Sequence, residues 1–180
     1  MDPLTVSSYM DARELIQDGD IVFITDRSSP VAWLVRFFTR SRYSHVGIAF
    51  WMQTGGISRL MMAEAQGGTN RRIVNLSKYA QYNLDVIKAP GPWKRILGNA
   101  LARLSDVPYG YMEAFYVGLV ETALKYFDIE LPRKDFNGEI CSEYVAKMYN
   151  LPKKHISPQV LIEHLKELGH DVRVLVRKQA

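Results

Sequence analysis

The chain contains one cysteine, Cys141, in the segment EICSE over residues 139–143. The segment predicts that Cys141 lies in the first turn of a helix. Unpaired backbone N–H groups and the positive end of the helix dipole stabilise a thiolate there, and a thiolate is a nucleophile. The alternative is a small buried hydrophobic residue, which is a common environment for a free cysteine.

Two further titratable residues interrupt apolar segments of the chain. His45 lies near the start of SHVGIAFWM (residues 44–52), and Glu64 lies in LMMAEA (residues 60–65). The glycine pair at 55–56 predicts a hairpin turn that brings Glu64 close to His45. Together with Cys141, His45 then has the place of a general base, and Glu64 that of the carboxylate that orients it. The alternatives are a structural histidine at a strand edge and an outward-facing glutamate on a half-exposed strand.

The elements that must position these residues follow from hydrophobic periodicity and turn residues. The pattern predicts strands at 20–25, 44–52, 60–65, 72–76, 84–89 and 171–176. It predicts helices at 11–17, 31–39, 93–104, 111–127, 140–149 and 158–168, the second with an apolar stripe of Trp33, Leu34, Phe37 and Phe38. The strands in the middle of the chain and the helices around them predict an α+β fold, an antiparallel sheet packed with helices.

Composition limits the class of protein. A length of 180 residues, with 47% hydrophobic and 23% charged residues, indicates one globular domain over 1–180 and excludes disordered, collagen-like and disulfide-scaffold proteins. The net charge of +4 is mild, and basic residues do not cluster among aromatic ones, so a nucleic-acid partner is not expected. The composition does not specify an oligomeric state.

A single cysteine also bears on the compartment and on cofactors. It cannot form an internal disulfide, which indicates a reducing environment. No secretory signal and no apolar run long enough to span a bilayer are visible, so we expect a cytoplasmic protein; a phage or lysis-released origin fits equally. The spacing of Cys, His and Glu does not match a zinc motif, and the glycine pairs do not match a phosphate loop. We therefore expect no metal and no other cofactor.

Several blocks of the sequence resemble the circularly permuted NlpC-type papain-like cysteine hydrolases, in particular their YiiX-like branch. The blocks are GDIVF (19–23), YSHVGI (43–48), EA (64–65), PY (108–109) and CSEYV (141–145). The order His, polar residue, Cys is the permuted order, and the resemblance covers roughly residues 18 to 160. The SHVGI and CSEYV blocks are its most specific parts.

The resemblance implies a permuted papain-like fold with Cys141 as nucleophile, His45 as general base and acid, and Glu64 as orienting residue. The Cys141 backbone N–H would contribute to an oxyanion hole. Tyr109, which matches a Pro-Tyr pair before the cysteine, would contact substrate or support the oxyanion, with a packed core tyrosine as the alternative. Tyr43, beside the base, would shape the pocket.

The implied substrate is an amide in a small peptide, such as a bond of a peptidoglycan stem peptide. The long segment between Tyr109 and Cys141 departs from the family pattern, because it carries an additional apolar helix over 111–127. We interpret that helix as core packing, although its apolar content also suits an acyl chain. The alternatives are therefore a lipid acyltransferase or thioesterase with the same site, and a non-catalytic binding or virion-associated module.

Overall fold

The structure is a computed structural model that describes residues 2–26, 28, 30–66, 70–88, 90–102, 104, 111–131, 139–151 and 156–177. The strands are β1 (Leu4–Val6), β2 (Ile21–Thr25), β3 (His45–Thr54), β4 (Ile57–Gln66), β5 (Asn70–Asn75), β6 (Asn83–Ile87) and β7 (Val172–Val176). The α-helices are α1 (Tyr9–Arg13), α2 (Pro30–Thr39), α3 (Trp93–Ala102), α4 (Tyr111–Phe127), α5 (Cys141–Met148) and α6 (Pro158–Glu167). A 3₁₀ helix, Leu76–Tyr79, follows β5.

These elements confirm the α+β prediction. Within the described ranges the strands form one seven-stranded sheet in the order β1-β7-β6-β2-β3-β4-β5. All neighbouring pairs are antiparallel except β1 and β7, which are parallel. The sheet therefore uses strands from the two ends of the chain as well as from its middle.

The N-terminal region differs from the prediction in two ways. The helix expected at 11–17 is Tyr9–Arg13, because the Ser8 side chain accepts the Asp11 N–H and starts the helix earlier. Strand β1 was not predicted. It has three residues, and its pairing partner β7 lies at the other end of the sequence, so no local pattern marks it.

The hairpin between β3 and β4 confirms the predicted turn. Gly55 and Gly56 have positive φ angles of 58° and 76°, which glycine adopts at little cost. Ile48 pairs with Ala63, and the register continues to the pair of Thr54 with Ile57. This register places Glu64 close to the beginning of β3.

The sheet is covered on both faces. In β2, Ile21 and Phe23 belong to one hydrophobic cluster, and Val22 and Ile24 to another, as the two-residue period of a strand requires. The first cluster contains side chains of α3, α5 and α6, and the second contains side chains of α1 and the 3₁₀ helix. Burial on both faces explains why β2 is a continuous apolar run.

Helices α2 and α4 pack against each other, and their surfaces correct two expectations. Trp33 and Phe37 stack on each other with ring centroids 5.1 Å apart, but 56% and 61% of their surfaces are exposed, so this part of the predicted stripe faces outward. In α4, Tyr116 and Val117 are buried while Leu124 and Phe127 are exposed. Core packing therefore accounts for only part of α4.

Among the described residues, no helix is both long and apolar enough to cross a membrane.

Gly47 is required by the close approach of β3 and β4. A Cβ atom at this position would lie 2.7 Å from Cγ of Met62 and 2.9 Å from the carbonyl oxygen of Ala63. Those distances are shorter than a van der Waals contact, and the Ala63 oxygen is a backbone atom that cannot move independently of β4. A side chain here would separate the strands that carry His45 and Glu64.

We expect Gly47→Ala to lower the free energy of unfolding by about 1–3 kcal/mol, because it overpacks the hairpin. Gly98→Ala is the matched control: its Cβ would meet nothing within 4 Å in helix α3, and we expect it to raise stability by roughly 0.5–1 kcal/mol. Urea denaturation followed by circular dichroism measures both. Equal stabilities of Gly47→Ala and the wild type would contradict the close-approach argument.

Candidate active site

Cys141 is the first residue of helix α5. The preceding Ile140 is extended, with φ −91° and ψ 162°, and its N–H donates to the Glu143 carboxylate at 3.4 Å. Ser142 Oγ donates to the carbonyl of Ile156, so the start of the helix is held from both sides. Cys141 is only 2% exposed and lies in the same hydrophobic cluster as Tyr144. The predicted position in the first helical turn is confirmed, and so is burial among apolar side chains.

A salt-bridge cluster holds the segment just before Cys141. Glu139 is buried; its two carboxylate oxygens lie 2.7 Å from Arg71 Nε and 2.7 Å from Lys147 Nζ. Arg71 belongs to β5, and Lys147 lies two turns into α5. The cluster therefore fixes the N-terminal end of α5 against the edge of the sheet.

His45 links the thiol to the sheet. It is the first residue of β3. The Cys141 thiol lies close enough to the ring to raise its pKa. Its Nε2 lies 2.9 Å from Oε2 of Glu64, which leaves Nδ1 as the ring nitrogen for the thiol. The structure thus brings Cys141, His45 and Glu64 together.

Glu64 is fully buried and accepts hydrogen bonds at both carboxylate oxygens. Oε2 accepts from His45 Nε2 and, at 2.6 Å, from the Tyr79 hydroxyl; Oε1 accepts from Arg72 Nε at 2.8 Å. The alternative of an outward-facing glutamate on a half-exposed strand is therefore wrong. A buried carboxylate with three donors is held in a single orientation.

The same contacts set the protonation states. Burial lowers the pKa of His45, but the hydrogen bonds and charges of Cys141 and Glu64 outweigh it and raise that pKa to about 10. Burial raises the pKa of Glu64, while hydrogen bonds from His45, Tyr79 and Arg72 hold it at about 2. Burial and the Glu64 charge raise the pKa of Tyr79, which stays a neutral donor. At neutral pH the pair is an imidazolium beside a carboxylate.

Sequence reasoning missed Arg72 and Tyr79. Arg72 lies directly opposite Glu64 in the β4–β5 register, so an opposite-charge cross-strand pair is the signal that was available. Finding it required the register across residues 67–69, which strand pattern alone does not give. Tyr79 lies in the 3₁₀ helix, and its ring centroid is 5.7 Å from that of His45; no local motif marks it.

The two predicted substrate-contact tyrosines have different outcomes. The Tyr43 hydroxyl donates to Asp85 Oδ2 at 2.6 Å, and Arg42 and Arg177 pair with the same carboxylate. Tyr43 is buried two residues before His45, so it fixes the entry into β3, and a role in substrate contact stays a prediction. Tyr109 lies outside the described residues.

In the described part of the chain, no group of three or more His, Cys, Asp or Glu side chains is placed to hold a metal ion. The triad itself offers one thiol, one ring nitrogen engaged with a carboxylate, and a carboxylate already saturated with donors. What this arrangement can do chemically is transfer a proton between the thiol and the imidazole.

Comparison with solved structures shows a distant similarity. No family model matches the chain, and no curated protein matches it. The crystal structure of metalloprotein yiiX from Escherichia coli O157:H7, DUF1105, is similar with 18% identity and a TM-score of 0.47, covering 90% of this chain and 88% of that one. Those values are too low to transfer a function or a bound metal to this chain.

The ionised pair predicts a pH-dependent contribution to stability. The Glu64 contribution is present above its ordinary pKa of 4.5 and is lost as the pH falls through about 2. The His45 contribution is present below its ordinary pKa of 6.5 and is lost as the pH rises through about 10. We therefore expect Glu64→Gln to lower the free energy of unfolding by roughly 3 kcal/mol between these ordinary values. The difference in free energy of unfolding between Glu64→Gln and the wild type should become smaller towards acid and towards alkaline pH.

Urea denaturation at a series of pH values measures this difference. Glu167→Gln is the matched control, because Glu167 also faces a histidine, His164 at 3.4 Å, but is 69% exposed; we expect little change there. A deficit for Glu64→Gln that is constant from acid to alkaline pH would show that the buried charges do not carry it.

Proposed function

We propose that the chain is a thiol hydrolase of the permuted papain-like kind that cleaves an amide bond. The observation that carries the proposal is the place of the Cys141 thiol beside the His45 ring, which is itself hydrogen-bonded to the buried Glu64. In the proposed mechanism His45 takes up the Cys141 proton, and the carboxylate stabilises the resulting cation. The α+β sheet with strands from both ends of the chain supports a single domain over 1–180.

The proposed reaction has two steps. In the first, the Cys141 thiolate attacks the carbonyl carbon, and the C–N bond breaks as the His45 imidazolium gives its proton to the leaving nitrogen. In the second, His45 takes a proton from water, the hydroxide attacks the thioester, and the C–S bond breaks to return the thiolate. The Cys141 N–H at the start of α5 is free of intrahelical bonding and supports the developing oxyanion.

Glu64 contributes by orientation. An ionised Glu64 accepts from Nε2–H, so when the ring is neutral its proton stays on Nε2 and the Nδ1 lone pair faces the thiol. That tautomer is the one a base for Cys141 needs. The buried carboxylate has no freedom to release the ring, since Tyr79 and Arg72 hold its two oxygens.

The substrate class is supported by the resemblance to the NlpC-type family, in the SHVGI and CSEYV blocks. We propose a small peptide amide, with a peptidoglycan stem peptide as the first to test. One groove lined by the described part of α4, about 240 Å³ in volume, lies against Thr39 and Gln159 and gives no support to an acyl site at Cys141. Its walls include no residue of the Cys141 site, and the volume is small for a ligand pocket.

The test is turnover of synthetic stem peptides of two to five residues beside p-nitrophenyl octanoate, with products and the protein mass followed by mass spectrometry. We expect peptide cleavage through a thioester on Cys141. Cys141→Ala should reduce the rate at least ~10³-fold, and His45→Ala by ~10²–10⁴-fold. His164→Ala is the control histidine and should keep the wild-type rate.

The other outcomes separate the alternatives. Turnover of the octanoate ester alone, dependent on Cys141, overturns the amide substrate in favour of the acyltransferase or thioesterase. If the protein shows neither turnover nor an adduct on Cys141, the hydrolase proposal is overturned in favour of a binding module.

A further inference from the structure

Four ionisable groups of alternating charge lie in sequence from Cys141 to β5. The Cys141 thiol contacts the His45 ring, the ring contacts Glu64, and Glu64 contacts the Arg72 guanidinium. Glu64 is fully buried and the His45 and Arg72 side chains are 11% and 25% exposed. Solvent therefore screens these charges poorly, and the net charge of the four groups affects the protonation state of each.

Arg72 is fixed at both ends of its guanidinium. Its Nε donates to Glu64 at 2.8 Å, and its Nη2 donates to Gln66 Oε1, which also accepts from Lys78 Nζ at 3.2 Å. Glu64 and Gln66 are alternate residues of β4, so they project from one face of the sheet. The guanidinium is thus held along β4 directly opposite Glu64.

The charges balance only when Arg72 is counted. With the thiol ionised, the thiolate and carboxylate contribute −2, and the imidazolium and guanidinium contribute +2. Without Arg72, the buried site carries a net charge of −1. In addition, Glu64 loses its cationic partner whenever His45 gives up its proton, and an unpaired buried carboxylate then tends to take up a proton itself.

A protonated Glu64 would reverse the hydrogen bond to the ring. Its O–H would donate to Nε2, and the proton of a neutral imidazole would move to Nδ1. The lone pair would then point at Glu64, and the ring could no longer accept a proton from Cys141. The direction of this one hydrogen bond decides whether His45 serves the thiol.

We propose that Arg72 is a positioning residue whose charge keeps Glu64 ionised in both protonation states of His45, so that Nδ1 stays available to Cys141. The functional meaning of this role rests on the proposed hydrolase. The effect on Glu64 and His45 does not, because it depends only on the contacts among the three side chains.

Other charged or titratable groups face the same site, and they define the controls. Tyr79 donates to Glu64 from the 3₁₀ helix as a neutral group, Cys141 faces the ring from α5, and Lys78 reaches Gln66 from the surface. Arg71 is the neighbouring arginine on β5, but it pairs with Glu139. Removing Arg71 removes the same charge from the same strand without touching Glu64.

The experiment is a pH titration of the His45 ring by ¹⁵N NMR in the full chain, assigned with His45→Gln. It compares the wild type with Arg72→Gln, Arg72→Lys and Arg71→Gln, with circular dichroism marking the pH range in which each stays folded. Losing a positive charge should move the alkaline midpoint of His45 and the acid midpoint of Glu64 to higher pH, the latter by about one to two pH units in Arg72→Gln. Arg72→Lys should keep the wild-type midpoints, and Arg71→Gln should keep the Glu64 midpoint.

Two results overturn the proposal: midpoints in Arg72→Gln that move no further than in Arg71→Gln, or midpoints in Arg72→Lys that move as far as in Arg72→Gln. If Arg72→Gln does not fold, Arg72→Met removes the charge in its place: a Glu64 midpoint displaced from that of Arg72→Lys supports a role through charge, and equal midpoints contradict it. The titration of the ring does not require enzymatic turnover. A protein without activity that shows the expected shifts would therefore contradict the hydrolase proposal and still support the proposed role of Arg72.

Discussion

The burial of the Glu64 carboxylate is the constraint on which the rest of the site depends. An isolated carboxylate in the interior costs several kcal/mol, and this one is offset by donors from three other elements: His45 of β3, Arg72 of β5 and Tyr79 of the 3₁₀ helix. Each donor must reach a fixed oxygen, so the register of β4 with both neighbours is tied to the ionisation of one side chain. Burial lowers the pKa of His45, but Cys141 and this carboxylate together raise it.

The thiol lies beside this network because the first residue of a helix and the first residue of a strand are neighbours in the fold. α5 starts at Cys141 and β3 starts at His45, and each start is anchored by its own buried acid. Glu139, with Arg71 and Lys147, fixes the helix, while Asp85, with Tyr43, fixes the entry into the strand. These clusters do not touch substrate in the proposed reaction. They hold the two side chains of the proposed reaction beside each other.

The sequence predicted the parts of the site that local patterns encode. The hairpin at Gly55-Gly56 and the helix start at Cys141 follow from turn chemistry and apolar spacing, and the structure confirms both. Arg72 and Tyr79 could not be found this way, since their contacts with Glu64 depend on the β4–β5 register and on a 3₁₀ helix without a motif. The outward faces of Trp33 and Phe37 were missed because an apolar stripe predicts a buried face, whereas these rings stack on each other at the surface. The permuted papain-like fold and the roles of Cys141, His45 and Glu64 stay predictions.

The central claim is that Cys141 and His45 form a coupled pair, and the most direct test is the rate of Cys141 alkylation by iodoacetamide from pH 4 to 9. The chain has no other cysteine, so the adduct needs no assignment. The wild type should react well below the ordinary thiol pKa of about 8.5, and His45→Ala should lose that acidic limb. Circular dichroism of the variant and free cysteine under the same conditions control for folding and for the reagent. An inert Cys141, or identical profiles for the two proteins, would contradict the account.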